Sequence, residues 1–526
     1  MSEVRYKLHP VSALINFLKG LKELILPFVI IFGANLFREG GISGMFSQGW
    51  QGLLPLIIGG VVLLFMLIAG IIKWKRFVYW FEDGELRIEY GLFVKKKRYI
   101  PFERIQSLNY TEGIFHRPFG LVKVKVETAG SGKVGQSEAE LTAIYRAEAE
   151  RIEQEMKLAK RSYQQQALVE DEATLYGPVQ AAKPVVQEEE ESRTRILYQM
   201  SLKELLMLAT TSGGIGVVIS GVALFLSQFS ELIPYDAIYD EVMVFMRFGY
   251  LVVALTVFAG LLLAWIISVA MTLIAYYQFT IHADDERIYI TRGLLEKKKV
   301  SVPFKRVQGI KMTQNPLRQL FGYVAVTVES AGGTLADKDE KIRLFPLVKQ
   351  KAMKPVLEEL FPEFDWSPEL ERLPKRSRPF FYRLSIAWLI PAFAALGYFF
   401  YPYGLWALAV VPVIILMGLW QHRSAGYAIT ERQLTAQFRG VSLHRYYMMK
   451  KRIQVIAVTR TIFQRRRDVA SVHATIKSGM LGATAFIPHV GREAAEDILA
   501  WYEPSGQRQL ETDDGQTKNP QPTEIG

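Results

Sequence analysis

Long uncharged apolar stretches alternate along this chain with charged segments in which apolar and polar residues alternate. A helix needs about 20 predominantly apolar residues to cross a bilayer. The apolar stretches are Leu24 to Phe37, Leu53 to Ile72, Leu205 to Phe229, Gly249 to Phe279, Leu384 to Tyr401 and Tyr403 to Trp420. We therefore expect six spans in three pairs, the first of them extended back through Lys22 and Glu23 or tilted.

The N-terminal stretch has an alternative interpretation as a signal peptide, because basic residues precede it. No small-residue cleavage site follows Phe37, where Arg38 and Glu39 stand instead. We therefore favour a retained helix.

Basic residues are distributed unequally on the two sides of the predicted spans. The connection inside each helix pair has at most one basic residue, whereas the other flanks carry clusters such as Lys73, Lys75 and Arg76. Positively charged flanks stay in the cytoplasm. Both termini and all large segments are therefore predicted to be cytoplasmic.

The composition of the chain is consistent with this topology. The chain has 526 residues, no cysteine and a net charge of +11. Lack of cysteine agrees with a cytoplasmic placement of the large segments. The basic charge is typical of nucleic-acid binding too, but clusters beside spans are better explained by topology and anionic lipid headgroups. We expect membrane lipids as partners and no nucleic acid.

The segment after each helix pair repeats one pattern. An alternating hairpin reaches a glycine, and 12 or 13 residues later stands an Arg-Ile/Val-Gln tripeptide. The glycines are Gly91, Gly293 and Gly440, and the arginines are Arg104, Arg306 and Arg452. Another alternating strand, a glycine-rich turn and a short strand follow, and each copy ends in a helical pattern. This is the element order of a pleckstrin-homology-like (PH-like) β-barrel or sandwich capped by a C-terminal helix.

The repeated hairpin, the tripeptide and the Phe-Gly pairs at Phe119 and Phe321 resemble the bacterial PH-like domain of the domain-of-unknown-function-304 group. The resemblance spans about residues 6 to 502, and the third copy departs from it at Arg467 and Asp468. It implies a membrane-anchored scaffold that binds another membrane protein or itself. It also implies a role in envelope homeostasis or in resistance to membrane-active peptides.

The repeats divide the chain into helix pairs and domains. The predicted segments are a transmembrane hairpin over 1–74, a PH-like domain over 75–163, an acidic linker over 164–192, a second hairpin over 193–275, a second domain over 276–362, a third hairpin over 371–422, a third domain over 423–503 and a disordered tail over 504–526.

No pattern in the chain indicates catalysis. The seven histidines form no metal-ligand pair at helical spacing, and a thiolate site is excluded by the lack of cysteine. The stretch from Gly130 to Lys133 is similar to part of a phosphate-binding loop, but Val134 replaces the required Ser/Thr. We predict no enzyme activity, no metal and no cofactor.

The predicted spans contain no ionisable residue in their cores, which argues against a transport path. Ser212, Gly216 and Ser220 recur every four residues, as in closely packed helices. A lipid-binding protein or a transporter of lipids or small molecules is the alternative to the scaffold.

Two basic runs are the candidate headgroup-binding residues. They are Lys95, Lys96, Lys97 and Arg98 in the first copy and Lys297, Lys298 and Lys299 in the second. Each cation near an anionic surface contributes about 1 kcal/mol. The alternative is a solvated edge strand whose lysines prevent pairing with another sheet. The third copy has only His444 and Arg445 near this position.

The repeated arginines and glycines are predicted to be structural. Arg104, Arg306 and Arg452 are expected to satisfy carbonyls or a carboxylate inside the fold. Gly91, Gly293 and Gly440 are expected to form turns with positive φ.

Overall fold

The computed structural model describes residues 5–21, 50–128, 139–158, 195–214, 216, 218–221, 223, 250–331, 342–479 and 482–503. The predicted span 24–37, the linker 164–192 and the tail 504–526 lie outside these residues. The chain divides into two compact units, Met1–Phe304 and Lys305–Gly526. Their boundary falls inside the predicted second domain, because strands of that domain pair with strands of both neighbouring copies.

The first unit contains the first copy and the hairpin half of the second. Its strands are β1 (Tyr6–Lys7), β2 (Val78–Glu82), β3 (Glu85–Tyr90), β4 (Lys96–Pro101), β5 (Ile105–Glu112), β6 (Leu121–Thr128), β7 (Ala139–Tyr145), β8 (Arg195–Gln199), β9 (Thr280–Ala283), β10 (Arg287–Arg292) and β11 (Lys297–Pro303). Its helices are α1 (Val11–Leu21), α2 (Trp50–Arg76), α3 (146–158), α4 (Leu202–Thr211) and α5 (Tyr250–Tyr276).

The strands of the first unit form two antiparallel sheets. One has the order β1-β2-β3-β4 and the other the order β7-β6-β5-β11-β10-β9-β8. The second sheet crosses the repeat boundary, because β5–β7 belong to the first copy and β8–β11 to the second. Strands β1 and β8 each precede a predicted transmembrane hairpin and pair with the first strand after it, so the segments on both sides of these two predicted hairpins lie in one sheet.

The first copy is a two-sheet sandwich. Alternating residues such as Leu86 and Ile88 of β3 face Val124 and Val126 of β6, and Ile152 of α3 closes the core. Burying each side chain of this size contributes about 1.5–3 kcal/mol. The two sheets are separate ladders among the described strands, so of the two predicted forms, barrel or sandwich, the structure has an open sandwich.

The second unit continues the same scheme. Its strands are β12 (Val307–Gln314), β13 (Tyr323–Ser330), β14 (Ile342–Lys349), β15 (Glu371–Arg372), β16 (Gly426–Ile429), β17 (Gln433–Arg439), β18 (Leu443–Met449), β19 (Ile453–Thr459), β20 (Val469–Ile476) and β21 (Ala483–Gly491). Its helices are α6 (Pro316–Leu320), α7 (Gln350–Leu360), α8 (Arg383–Phe399), α9 (Val410–Ser424), α10 (Ile462–Arg465) and α11 (Arg492–Tyr502).

The sheets of the second unit have the orders β14-β13-β12-β18-β17-β16-β15 and β19-β20-β21. The first again joins two copies, since β12–β14 come from the second and β15–β18 from the third. The third copy has its own core, in which Leu434 and Met448 meet Val472, Ile487 and the helix residue Ile498.

Four helical segments are apolar and long enough to cross a membrane: Ile57–Arg76, Val252–Tyr276, Lys375–Phe399 and Tyr403–Ser424. They match the second, fourth, fifth and sixth predicted spans. At most 11% of each apolar window is buried within the protein, and Trp388 and Trp406 are each 78% exposed. Apolar surface of this extent is suited to lipid rather than water.

The third predicted span is not one uninterrupted helix from Leu205. Helix α4 ends at Thr211, and the next residue, Ser212, has an extended backbone with φ −72° and ψ 131°. Its hydroxyl donates to the carbonyl of Ala209 (3.0 Å), a side-chain bond that competes with helix continuation, and two glycines follow.

Close packing by small residues is present here, but partly at other positions than expected. The hydroxyl of Ser212 lies 3.3 Å from that of Thr272 on α5, and a Cβ at Gly214 would overlap the hydroxyl of Ser268. A Cβ at Gly216 would meet nothing within 4 Å, so the contact is made at Ser212 and Gly214 rather than at Gly216.

Candidate functional site

The first basic run lies on β4, the last strand of its sheet. Lys95 and Lys97 both form ion pairs with Glu89 of β3, with 3.1 Å between Lys97 Nζ and Glu89 Oε1. The hydrogen bond from Lys95, and a weaker one from Lys97, hold the pKa of the Glu89 carboxyl below its usual value. Two of the candidate lysines therefore have a carboxylate partner inside the domain, while Lys96 is exposed.

The second run lies on β11, which is not an edge strand. Lys297 is opposite Glu112 and Lys299 is opposite Tyr110 in the ladder with β5. Lys299 Nζ also lies 4.9 Å from the ring centroid of Tyr289, a favourable cation–π distance. The interpretation that lysines here prevent strand pairing is wrong for this run, because β11 pairs with β5 through all three lysine positions.

A cavity of about 370 Å³ lies beside this ladder, between α3 and strands β5 and β9–β11. Arg146 pairs with Glu112 (3.6 Å) and Glu150 (3.2 Å), and the hydroxyl of Tyr110 donates to Glu153 (2.9 Å). Basic residues and glutamates both line the cavity, so it offers no single-sign surface to an anionic headgroup.

The two tyrosines and the histidine of the cavity are held in neutral forms. Burial and the nearby Glu153 raise the pKa of Tyr110 and Tyr289, so both hydroxyls stay protonated as donors. Burial, and secondarily Lys299, lowers the pKa of His282. Among the residues that the structure describes, no group of three or more His, Asp and Glu is placed to hold a metal ion.

One turn in each copy touches the end of a membrane-spanning helix: β3–β4, β10–β11 and β17–β18. The contacts are Arg76 Nη1 to Leu92 O (2.7 Å), Leu294 N to Ile274 O (2.8 Å) and Gln421 Nε2 to Gly440 O (3.0 Å). Helix ends carry carbonyls without intrahelical partners, and the second contact satisfies one of them, whereas in the other two a helix side chain donates to a carbonyl of the turn. We call this end of each sheet the membrane-facing edge.

The loops after β5 and β12 lie at the same edge. Lys297 at the start of β11 is opposite Glu112 at the end of β5. Likewise Leu443 at the start of β18 is opposite Gln314 at the end of β12. In antiparallel strands, the end of one must lie beside the start of the other, so each loop begins where the adjacent turn meets the helix.

These two loops and the equivalent loop after β19 expose large apolar side chains. Each of these side chains is between 48% and 78% exposed: Ile114, Phe115 and Phe119 in the first copy, Leu317, Leu320 and Phe321 in the second, and Ile462 and Phe463 in the third. An arginine stands in each loop, at Arg117, Arg318 and Arg465. Apolar side chains beside cations are typical of segments at the boundary of headgroups and acyl chains.

Comparison with known proteins gives the same repeat. Residues 27–160, 236–360 and 385–505 each match the bacterial PH domain family. The chain belongs to the bacterial PH domain family. The chain is also similar to the UPF0699 transmembrane protein YdbT of Bacillus subtilis (strain 168), with 34% identity over 508 residues, 95% of this chain and 98% of that protein. The predicted three-fold repeat of a PH-like domain is confirmed.

The repeated glycines of the PH domains differ in their backbones. Gly91 and Gly293 have φ of +139° and +109°, and a Cβ at either would overlap the carbonyl oxygen of Val94 or Glu296. The expectation of positive φ is wrong for Gly440, whose Cβ would meet nothing within 4 Å. The third turn is shorter and closes through a bond from Gly440 N to Ser442 O (3.1 Å).

The repeated arginines each end a one-turn 3-10 helix before β5, β12 or β19. Arg306 Nε donates to the carbonyl of Ala331 (2.8 Å), the kind of bond that the sequence predicts. Arg104 is exposed and Arg452 half-buried.

The rest of the Arg-Ile/Val-Gln tripeptide forms a β-bulge. The Ile or Val is buried at the start of the strand, and the pairing register shifts across the Gln in all three PH domains. The tripeptide therefore builds a turn followed by a bulge that redirects the strand.

Sequence reasoning missed both the joined sheets and the apolar loops. The Phe-Gly pairs mark the family, but three large apolar residues in one short loop are also a readable signal of exposed apolar loops. The joints have no comparable signal in the sequence, because the strand that pairs with an edge strand depends on the surrounding fold rather than on local residues.

Proposed function

We propose that this chain is a membrane-anchored scaffold. Its three PH domains are held on the bilayer by six spans, with both termini in the cytoplasm. They present surfaces to another membrane protein or to a second copy of the chain. The proposal includes contact with membrane lipids, no nucleic-acid partner and no enzyme activity.

The observation that carries this proposal is the continuity of the sheets from one copy to the next. Strand β5 pairs with β11, and β12 pairs with β18. Each backbone hydrogen bond in such a ladder contributes about 0.5–1.5 kcal/mol net, so these joints fix the register of neighbouring strands. Fixed spacing of binding modules is what a scaffold needs.

The cellular role rests on the family alone. Membership of the bacterial PH domain family, with a transmembrane relative of nearly the same length, supports a function at the cell envelope. We propose envelope homeostasis or resistance to membrane-active peptides as that function.

A lipid-binding or transport protein is the second candidate, and the exposed apolar loops favour it. The cavity at the first joint does not, because its lining carries charges of both signs. Apolar loops at a membrane-facing edge are also what a scaffold resting on the bilayer requires.

Affinity purification of the full chain from detergent-solubilised membranes tests the proposal. Tagged and untagged copies are expressed together, and protein and lipid are quantified after detergent exchange. A scaffold is expected to retain a membrane protein, or the untagged copy, near one-to-one. A single lipid species retained near one-to-one, with no protein, would contradict the scaffold and support lipid handling.

A further inference from the structure

The two joints inside the chain use one register. In the first, Lys298 is opposite Thr111, and in the second, His444 is opposite Thr313. Both pairs join the residue eight positions before the arginine of one PH domain to the residue seven positions after the arginine of the preceding one. The joint is therefore a repeated structural element.

Each end of the chain carries one half of this joint. Strand β4 is the first-copy equivalent of β11 and β18, and β19 is the third-copy equivalent of β5 and β12. Among the described residues, β4 pairs only with β3, and β19 pairs only with β20. The two strands are therefore of complementary types. In the joints, the equivalent of β4 pairs with the preceding domain, and the equivalent of β19 pairs with the following domain.

Positions that are buried in the joints are exposed on these two strands. Tyr99 of β4 is 52% exposed, whereas its equivalent in β18, Tyr447, is 1% exposed. Val455 of β19 is 54% exposed, whereas its equivalent in β5, Ser107, is 1% exposed. The side chains at both ends are thus exposed where a paired neighbour would be expected.

Strand β19 lacks the charged residues and prolines that commonly protect a free edge. Its seven residues, Ile453–Thr459, include no charge and no proline. Natural proteins commonly protect an exposed edge with lysines, prolines or a covering segment. An uncharged edge rich in β-branched residues is a ready template for pairing.

The lysines of β4 do not exclude this pairing. The equivalent lysines of β11 lie within a ladder, so the fold accepts a basic run at this position. In the same register Lys95 faces Arg460, but each already has a carboxylate. Lys95 pairs with Glu89, and Arg460 lies 3.7 Å from Asp468.

We propose that β4 of one copy pairs with β19 of a second copy, forming between chains the joint that occurs twice within each chain. Lys96 then lies opposite Thr459. The contact is heterologous, because different surfaces of the two copies meet, so it can continue from copy to copy. This inference rests on the proposed scaffold function and names its partner as the chain itself.

Cysteine crosslinking tests the pairing directly, because the natural chain has no cysteine. Lys96→Cys and Thr459→Cys chains carrying different tags are co-expressed and oxidised in native membranes. Opposed residues of antiparallel strands have Cβ atoms about 4.5–5.5 Å apart, close to disulfide range. We expect a mixed disulfide dimer, and a ladder of multimers from the double variant.

Control variants distinguish a failure of this pairing from a failure of the proposed scaffold function. Thr313→Cys with His444→Cys reports the internal joint, and Lys96→Cys with Ala457→Cys reports a register two residues away, which should crosslink much less. Internal crosslinking without the mixed dimer would overturn the head-to-tail pairing and leave the scaffold standing. Dimers from Thr459→Cys alone would overturn it in favour of two-fold pairing of β19. Failure of the internal crosslink would contradict the scaffold itself.

Discussion

Gly91 and Gly293 occupy backbone conformations that a side chain would strain. Their φ values are positive and a Cβ would overlap a carbonyl oxygen, so Gly91→Ala or Gly293→Ala should lower stability by about 2 kcal/mol or more. Gly440→Ala is the matched control, with open space for its Cβ and an expected change within about 0.5 kcal/mol. Thermal unfolding of the detergent-purified chain measures all three. Equal midpoints would contradict the assigned turn geometries.

The same glycines show what one residue type can reveal in sequence. Two of the three repeated glycines have positive φ and one does not, yet the sequence alone does not distinguish them. The difference in φ arises from the length of the turn. The third turn is shorter than the first two and is closed by the bond from Gly440 N to Ser442 O.

We expect His489 to make the third PH domain less stable in acid. Its ring lies 5.0 Å from that of Phe380 and contacts Gln464 at 2.8 Å, and burial lowers its pKa to about 4. An unfolded histidine has a pKa near 6.5, so the unfolded state binds more protons below that pH. Stability is therefore full above about pH 6.5 and falls as pH drops toward 4, by at most about 3 kcal/mol.

Hydrogen exchange of peptides from β21 in the full chain, at pH 7 and pH 5, measures this loss. His489→Asn is the control, because His489 has φ of +51° and asparagine tolerates positive φ. The variant should lose most of the extra pH dependence. An unchanged pH dependence in the variant would assign it to another group.

At the scale of elements, the loop around α6 is expected to lie in the bilayer boundary. Leu320 is 78% exposed and follows the strand end that meets the membrane-facing edge. The emission of an environment-sensitive fluorophore on Leu320→Cys should shift to the blue in liposomes, relative to the same labelled protein held in an amphipathic polymer without lipid. The same label on Glu431→Cys, in the exposed β16–β17 turn at the opposite end of the sheet, should not shift. Equal spectra at both positions would remove the loops from the membrane.

Alternating patterns predicted the strands of each PH domain and the helices that follow them, because the face of a strand is set by its own residues. Two features escaped this logic. The break after α4 depends on the hydroxyl of Ser212 and on the glycines that follow it, and a hydropathy pattern does not reveal either. The strand that pairs with β11 belongs to another copy.

At the scale of the whole molecule, the basic flanks predict that all three PH domains lie on the cytoplasmic side. Ser230, outside the described residues, falls in the predicted second external loop, and the exposed Lys477 lies in the third domain. Ser230→Cys should react with an impermeant maleimide added to intact cells, and Lys477→Cys only after permeabilisation. The reverse labelling would invert the proposed topology.

The central claim is that neighbouring PH domains share one sheet, and a disulfide across the first joint measures it most directly. Thr111 and Lys298 are opposite each other in the ladder of β5 and β11. Thr111→Cys with Lys298→Cys should form an intrachain disulfide under mild oxidation in native membranes, identified by mass spectrometry of the linked peptides. Moving the second cysteine to the exposed Glu296, outside β11, should reduce crosslinking. Two cysteines that stay free and reactive to maleimide in the Thr111/Lys298 pair would contradict the joined sheet and the scaffold built on it.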